Sequence, residues 1–157
     1  MQRAGQLRDP WDQGLSFFLP NMTFLQPPGV VHALMSSVWS KNALAVNITA
    51  GDVHWFSSAA QISDDGTRVL VMFANLDYGV STNSATVTLV GFTPAPSADL
   101  YVVAEPGTGP VNSTAGNTPA QPTYVQAVRT PFPVPATGPI VVSLPPLSFS
   151  ILVLTRA

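Results

Sequence analysis

The spacing of apolar residues changes character once along the chain, near position 40. Val31, Leu34, Met35 and Val38 recur at i, i+3, i+4 and i+7, the spacing of one buried helical face. Pro27 and Pro28 stand just ahead, where a first helical turn tolerates proline because its missing N–H would have had no partner. The spacing predicts a helix over 28–39. Before it, Leu15-Ser16-Phe17-Phe18-Leu19 is a short apolar run closed by Pro20 and Asn21, which suits a buried strand. A strand and a helix alone close no core, so this pair looks like the last βα unit of something larger.

After Ser40 the period becomes two. Positions 43–48, 53–62, 68–75 and 84–92 are of strand length and rich in β-branched residues, and 100–104, 123–128, 140–144 and 148–154 extend the series. Asp64-Asp65-Gly66 marks a hairpin turn between two of them. In 84–92, Ala85, Val87 and Leu89 alternate with Thr86 and Thr88, so one face is expected buried and the other wet. Positions 105–122 and 130–139 read as loops dense in Gly, Pro, Ser and Thr. The expected fold is mainly β: an antiparallel β-sandwich preceded by one strand and one helix. The division follows the change of period, with 1–40 as the strand–helix unit and 41–157 as the sandwich.

Composition narrows the function classes. A chain of 157 residues suffices for one domain and buries roughly 70% of its unfolded surface. Only 9% of the residues are charged and 46% are apolar, which argues against disorder. Six Lys plus Arg and a net charge of −2 provide no basic patch for nucleic acid and no cationic cluster for an anionic membrane. There is no cysteine, hence no disulfide, thiolate site or cysteine nucleophile. Asn21-Met22-Thr23, Asn47-Ile48-Thr49 and Asn112-Ser113-Thr114 fit the N-glycosylation pattern and point to a secreted or vacuolar glycoprotein. Positions 1–10 carry Arg3, Arg8 and Asp9 and lack the apolar stretch of a signal peptide, so the chain is expected to begin in mid-protein.

Candidate chemistry is sparse. Glu105, the single glutamate, lies in the turn Ala104-Glu105-Pro106-Gly107 and reads as a solvated charge. Asp64 and Asp65 need no ion at a hairpin tip, and Asp9 and Asp12 flank Trp11 in an amino-terminal loop, so no metal, cofactor or catalytic carboxylate pair is expected. His32 and His54 read as structural, with no serine motif to serve. Trp11, Trp39, Trp55, Tyr78, Tyr101 and Tyr124 are able to stack on sugar rings, although Trp39 and Trp55 are expected in the core.

Several stretches together resemble one family. Trp11-Asp12-Gln13-Gly14, Phe17-Phe18-Leu19-Pro20, Phe24-Leu25-Gln26-Pro27-Pro28-Gly29 and the helix through His32 and Met35 resemble the end of the catalytic barrel in α-L-arabinofuranosidases of glycoside hydrolase family 51. Val69 to Leu76, Thr86 to Phe92, the run Asn117-Thr118-Pro119-Ala120-Gln121-Pro122-Thr123-Tyr124-Val125 and the closing Leu144 to Leu154 resemble the family's accessory sandwich. The resemblance implies that 1–40 ends a (β/α)8 barrel. It implies a parent that removes terminal arabinofuranosyl groups from arabinan and arabinoxylan by a retaining mechanism. Such a mechanism needs two carboxyls about 5 to 5.5 Å apart. Neither family glutamate has a counterpart here, so the chain alone is expected to be inactive and mainly structural, with the rest of a catalytic barrel as its partner. Gln13 occupies the place of a family glutamine that hydrogen-bonds the sugar, and Trp11 falls beside it, in the lining of the same pocket. A free-standing carbohydrate-binding module is the competing expectation. If the barrel is lacking, the helix face of Val31, Leu34, Met35 and Val38 is expected to be exposed and to cause aggregation.

Overall fold

The computed structural model describes residues 14–49, 55–78, 82–107 and 115–157. Strands β1 (Ser16–Leu19) and β2 (Met22–Leu25) form an antiparallel hairpin, followed by helix α1 (Pro27–Val38). Then come β3 (Asn42–Leu44), β4 (Phe56–Ile62), β5 (Arg68–Asn75), β6 (Asn83–Val87), β7 (Ser97–Val103), β8 (Ala127–Pro133), β9 (Ile140–Leu144) and β10 (Ser148–Thr155). Six of these make one antiparallel sheet in the order β3-β4-β5-β10-β7-β8, while β6 and β9 pair as a second, smaller layer. The chain is thus an antiparallel β-sandwich with one helix among its described residues, and β2 adds a strand before the helix that the apolar pattern alone did not suggest.

Both faces of the large sheet are covered, which explains why its middle strands are almost continuously apolar rather than alternating. In β5, Val69, Val71 and Phe73 point to the β6–β9 layer and pack with Ile140, Val142, Leu144, Leu152 and Leu154. Leu70 and Met72 point the other way and pack with Leu34, Val103, Val125 and Ile151. Val30, Val31, Met35 and Val38 border this second core. The helix therefore finds its apolar partner on the sheet of its own chain. Burying Leu34 alone is worth about 1.5–3 kcal/mol, so the expected exposed patch on α1 is corrected: the sheet supplies the surface that the barrel was expected to supply.

Other differences have local causes. Strand 123–128 is displaced to β8, whose Pro131 and Pro133 are tolerated because β8 pairs only with β7 and is an edge. Strand 84–92 ends at Val87, yet Ala85, Val87, Leu89 and Phe92 still pack on the first core, as their alternation implied. Strand 43–48 shortens to β3, and Val46 and Ile48 are exposed. Trp39 and Trp55 are not core residues; both stand out at the margins of the large sheet. The Asp64-Asp65-Gly66 turn joins β4 to β5 as expected, with Gly66 at φ 69°, the left-handed conformation that glycine adopts without cost.

Candidate functional site

The hairpin, the start of α1 and the segment 117–125 meet at one junction, built from two amides. Asn117, 6% exposed, donates through Nδ2 to the Leu25 carbonyl at 2.7 Å and the Val125 carbonyl at 2.9 Å. Its Oδ1 accepts the Val125 N–H at 2.7 Å. Gln26 Nε2 returns a bond to the Asn117 carbonyl at 2.7 Å. The two prolines at the first turn of α1 leave few N–H groups to cap, which fits the absence of a side-chain cap from Gln26 and frees that amide for the junction. Thr118 and Gln121 exchange backbone bonds around the Pro119-Ala120 tip, so the loop is a closed turn that presents Asn117 inward.

Gly29 is the close-approach point. A Cβ there would lie 2.0 Å from the Leu15 carbonyl oxygen, and Gln26 N–H donates to that same oxygen at 3.0 Å. At its other end α1 is held by Arg68, whose Nη2 donates to the Val38 carbonyl at 3.3 Å, placing a cation at the negative end of the helix dipole. The Gln-Pro-Pro-Gly run thus has a physical reading: amide to the loop, prolines into the turn, glycine against the hairpin.

The sequence-expected contacts to sugar, Trp11 and Gln13, lie outside the described residues, as do His54 and Asn112. Asn21, at the tip of the β1–β2 hairpin, and Asn47 are exposed, and so is His32 on α1. The described carboxylates are engaged one by one, each with its own partners, and Asp64 and Asp65 share the β4–β5 turn. Asp64 pairs with Lys41 at 2.8 Å and accepts from Asn42. Asp65 accepts from the Ser63 and Thr67 hydroxyls and from the Thr67 N–H, and these bonds lower its pKa to about 2. Asp77 accepts from Asn83, and Asp99 holds Arg129 in a two-point pair at 2.9 Å. Glu105 is half-buried rather than fully solvated: it accepts the Tyr124 hydroxyl at 3.1 Å, and this bond raises the phenol above its ordinary pKa. Among the described residues no three metal-ligating side chains gather.

Docking is where the exposed surface is informative. Phe18 on β1 is 78% exposed, and Leu15, Leu25 and Trp39 are exposed apolar residues on the same hairpin–helix unit. A second pair, Trp55 and Tyr78, stands at the end of the β4–β5 ladder with ring centroids 5.9 Å apart. Asn117 and Gln26 were not singled out as functional by sequence reasoning. The available signal was an amide bracketed by prolines in a loop that must otherwise bury its backbone unsatisfied.

The described residues thus form a β-sandwich carrying a hairpin–helix unit, joined at the Asn117–Gln26 junction. No protein-family model matches the chain, and no curated protein matches its sequence. An arabinose-bound family 51 α-L-arabinofuranosidase matches 94% of the chain at a TM-score of 0.77 and 16% identity. The α-L-arabinofuranosidase of Thermotoga maritima, in its arabinose complex, matches 90% at 0.74 and 16% identity. The family 51 arabinofuranosidase of Xanthomonas axonopodis pv. citri matches 91% at 0.64 and 21% identity. The chain spans only 22%, 31% and 29% of those proteins, respectively. It therefore has the fold of a glycoside-hydrolase-like region, similar to one segment of these arabinofuranosidases.

Proposed function

We propose that the chain is the carboxyl-terminal region of an α-L-arabinofuranosidase-like glycoside hydrolase, bracing the rest of a catalytic barrel that carries the two glutamates of a retaining mechanism. The chain alone then hydrolyses nothing. Arabinan and arabinoxylan are met through the parent, with Gln13 and Trp11 contributing to its sugar pocket. The observation that carries this reading is that hairpin, helix and sandwich match the same enzymes together, over 94% of the chain in one case, rather than the sandwich alone. The exposure of Phe18, with exposed Leu25 on the same face of the hairpin, supports a docking surface there, since contiguous exposed apolar residues mark interaction sites. Glycans on Asn21, Asn47 and Asn112 accompany secretion or vacuolar delivery in this reading.

An antibody raised against the chain tests the reading on the native protein. The expected antigen is several times larger than 16.5 kDa, and it carries arabinofuranosidase activity on p-nitrophenyl α-L-arabinofuranoside into the immunoprecipitate. An antigen of 16.5 kDa with no associated activity overturns it.

A further inference from the structure

The helix side of the large sheet is covered unevenly. Phe56 and Ile62 of β4 face the β6–β9 layer, so by alternation Trp55, Ser57, Ala59 and Gln61 share the opposite face with α1. The helical segment reaches only the far end of that row, where Ser40 N–H donates to Gln61 Oε1 at 3.2 Å. Ser57 and Ala59 remain exposed, and Trp55 is 46% exposed. Leu76 N–H donates to the Trp55 carbonyl at 2.7 Å, which sets Leu76 opposite Trp55 on the same face. The Tyr78 ring, 58% exposed, meets the Trp55 ring at 87°, so the two planes form a corner.

The base of this corner is fixed. Asn75 is buried, donates to the Leu144 and Pro145 carbonyls at 3.2 and 2.8 Å, and accepts the Asp77 N–H. Leu147 N–H in turn donates to the Asp77 carbonyl at 3.1 Å. Two large rings are thus held out in water on an anchored ladder end, where ordering them for a ligand costs little further entropy.

We propose that Trp55 and Tyr78, with the Ser57 hydroxyl, form a binding subsite for a neutral polysaccharide of β-linked pyranose rings. A chair-form pyranose presents a flat face of axial C–H bonds that covers one aromatic ring, while the second ring borders it. Its equatorial hydroxyls reach the Ser57 and Tyr78 hydroxyls and the indole N–H, the polar tips that suit these side chains to a half-wet site. No charged side chain stands in the row Trp55, Ser57, Ala59, Leu76 and Tyr78, which disfavours acidic ligands. Furanose rings are smaller and puckered and cover an aromatic plane less well. The subsite goes beyond the bracing role, which requires no sugar on the sandwich.

Affinity electrophoresis of the chain tests this, in gels containing linear β-1,4-xylan, arabinan or no polysaccharide. The expected result is retardation by xylan, with binding weakened about tenfold or more by Trp55→Ala and by Tyr78→Ala, and largely kept by Trp55→Phe. Tyr78 lies outside the strands, so its variant keeps the test valid if Trp55→Ala misfolds, and circular dichroism checks both. Equal mobility in all three gels, as a protein-docking role would give, retardation by arabinan alone, or retardation that both alanine variants leave intact overturns the proposal. The assay needs neither cleavage nor a second polypeptide, so its result is independent of the antigen-size experiment.

Discussion

Replacing Asn117 by alanine removes three hydrogen bonds at once, and what it leaves behind matters more than what it removes. Val125 N–H, with its residue 4% exposed, loses its acceptor, and the Leu25 and Val125 carbonyls lose their donor. A net hydrogen bond is worth about 1 kcal/mol, and a buried group left unpaired costs about 1–3 kcal/mol. Counting about 1–3 kcal/mol for the orphaned Val125 N–H and about 1 kcal/mol for each of the two carbonyls gives about 3–5 kcal/mol, which for a chain of this size lowers Tm by about 6–20 °C. Urea denaturation followed by near-ultraviolet circular dichroism measures it. Asn117→Asp makes the test sharper: it keeps an acceptor for Val125 N–H but sets a carboxylate against two carbonyl oxygens, so its folded-state pKa rises above the ordinary value of about 3.9. The protonated form restores one donor. Its stabilisation relative to alanine is therefore fully present below about pH 4 and is lost as pH rises through the raised folded value. A loss under about 1 kcal/mol for alanine, or an aspartate variant that never gains on alanine as pH falls, refutes the view of Asn117 as the fastener of the junction.

Gly29→Ala should destabilise by about 3 kcal/mol or more, because a Cβ 2.0 Å from the Leu15 carbonyl forces backbone to move; a thermal melt with Tm unchanged contradicts that contact. Leu34→Glu buries an unpaired charge in the second core and should unfold the chain, whereas Phe18→Ser should leave stability within about 0.5 kcal/mol and reduce self-association measured by light scattering. Asp65 has its pKa depressed to about 2, so its contribution to stability is present above its unfolded value of 3.8 and is lost as pH falls towards 2; Asp65→Asn should flatten the urea midpoint over that window.

The strands with the clearest patterns were legible from sequence because local and global demands agree in them. Arg68–Asn75 and Ile140–Leu144 have the bounds their apolar runs predicted, and the helix differs by one residue at each end. Met22–Leu25 was not legible: four residues between a two-residue turn and Gln26 show no period, and only pairing with β1 makes them a strand. Strand β8 was hidden by Pro131 and Pro133, since proline argues against a strand until its edge position is known. The tryptophans misled for a related reason. Size argues for burial, but the large sheet had already filled both its cores with Leu, Ile and Val, leaving Trp39 and Trp55 at the margins. Trp11 and Gln13, expected at a sugar pocket, fall outside the described residues, while the junction around Asn117 depends on partners more than 90 positions apart, which no local pattern reveals.

The position of β10 has a consequence for how the molecule comes into being. The strand occupies the middle of the large sheet, clasped by β5 on one side and β7 on the other, although both lie far from it along the chain. β5 and β7 do not pair with each other, so each keeps a bare edge until β10 docks. Leu152 and Leu154 of β10 enter one hydrophobic layer and Ile151 the other, so closure of both layers awaits this one long-range pairing, which makes β10 the keystone of folding.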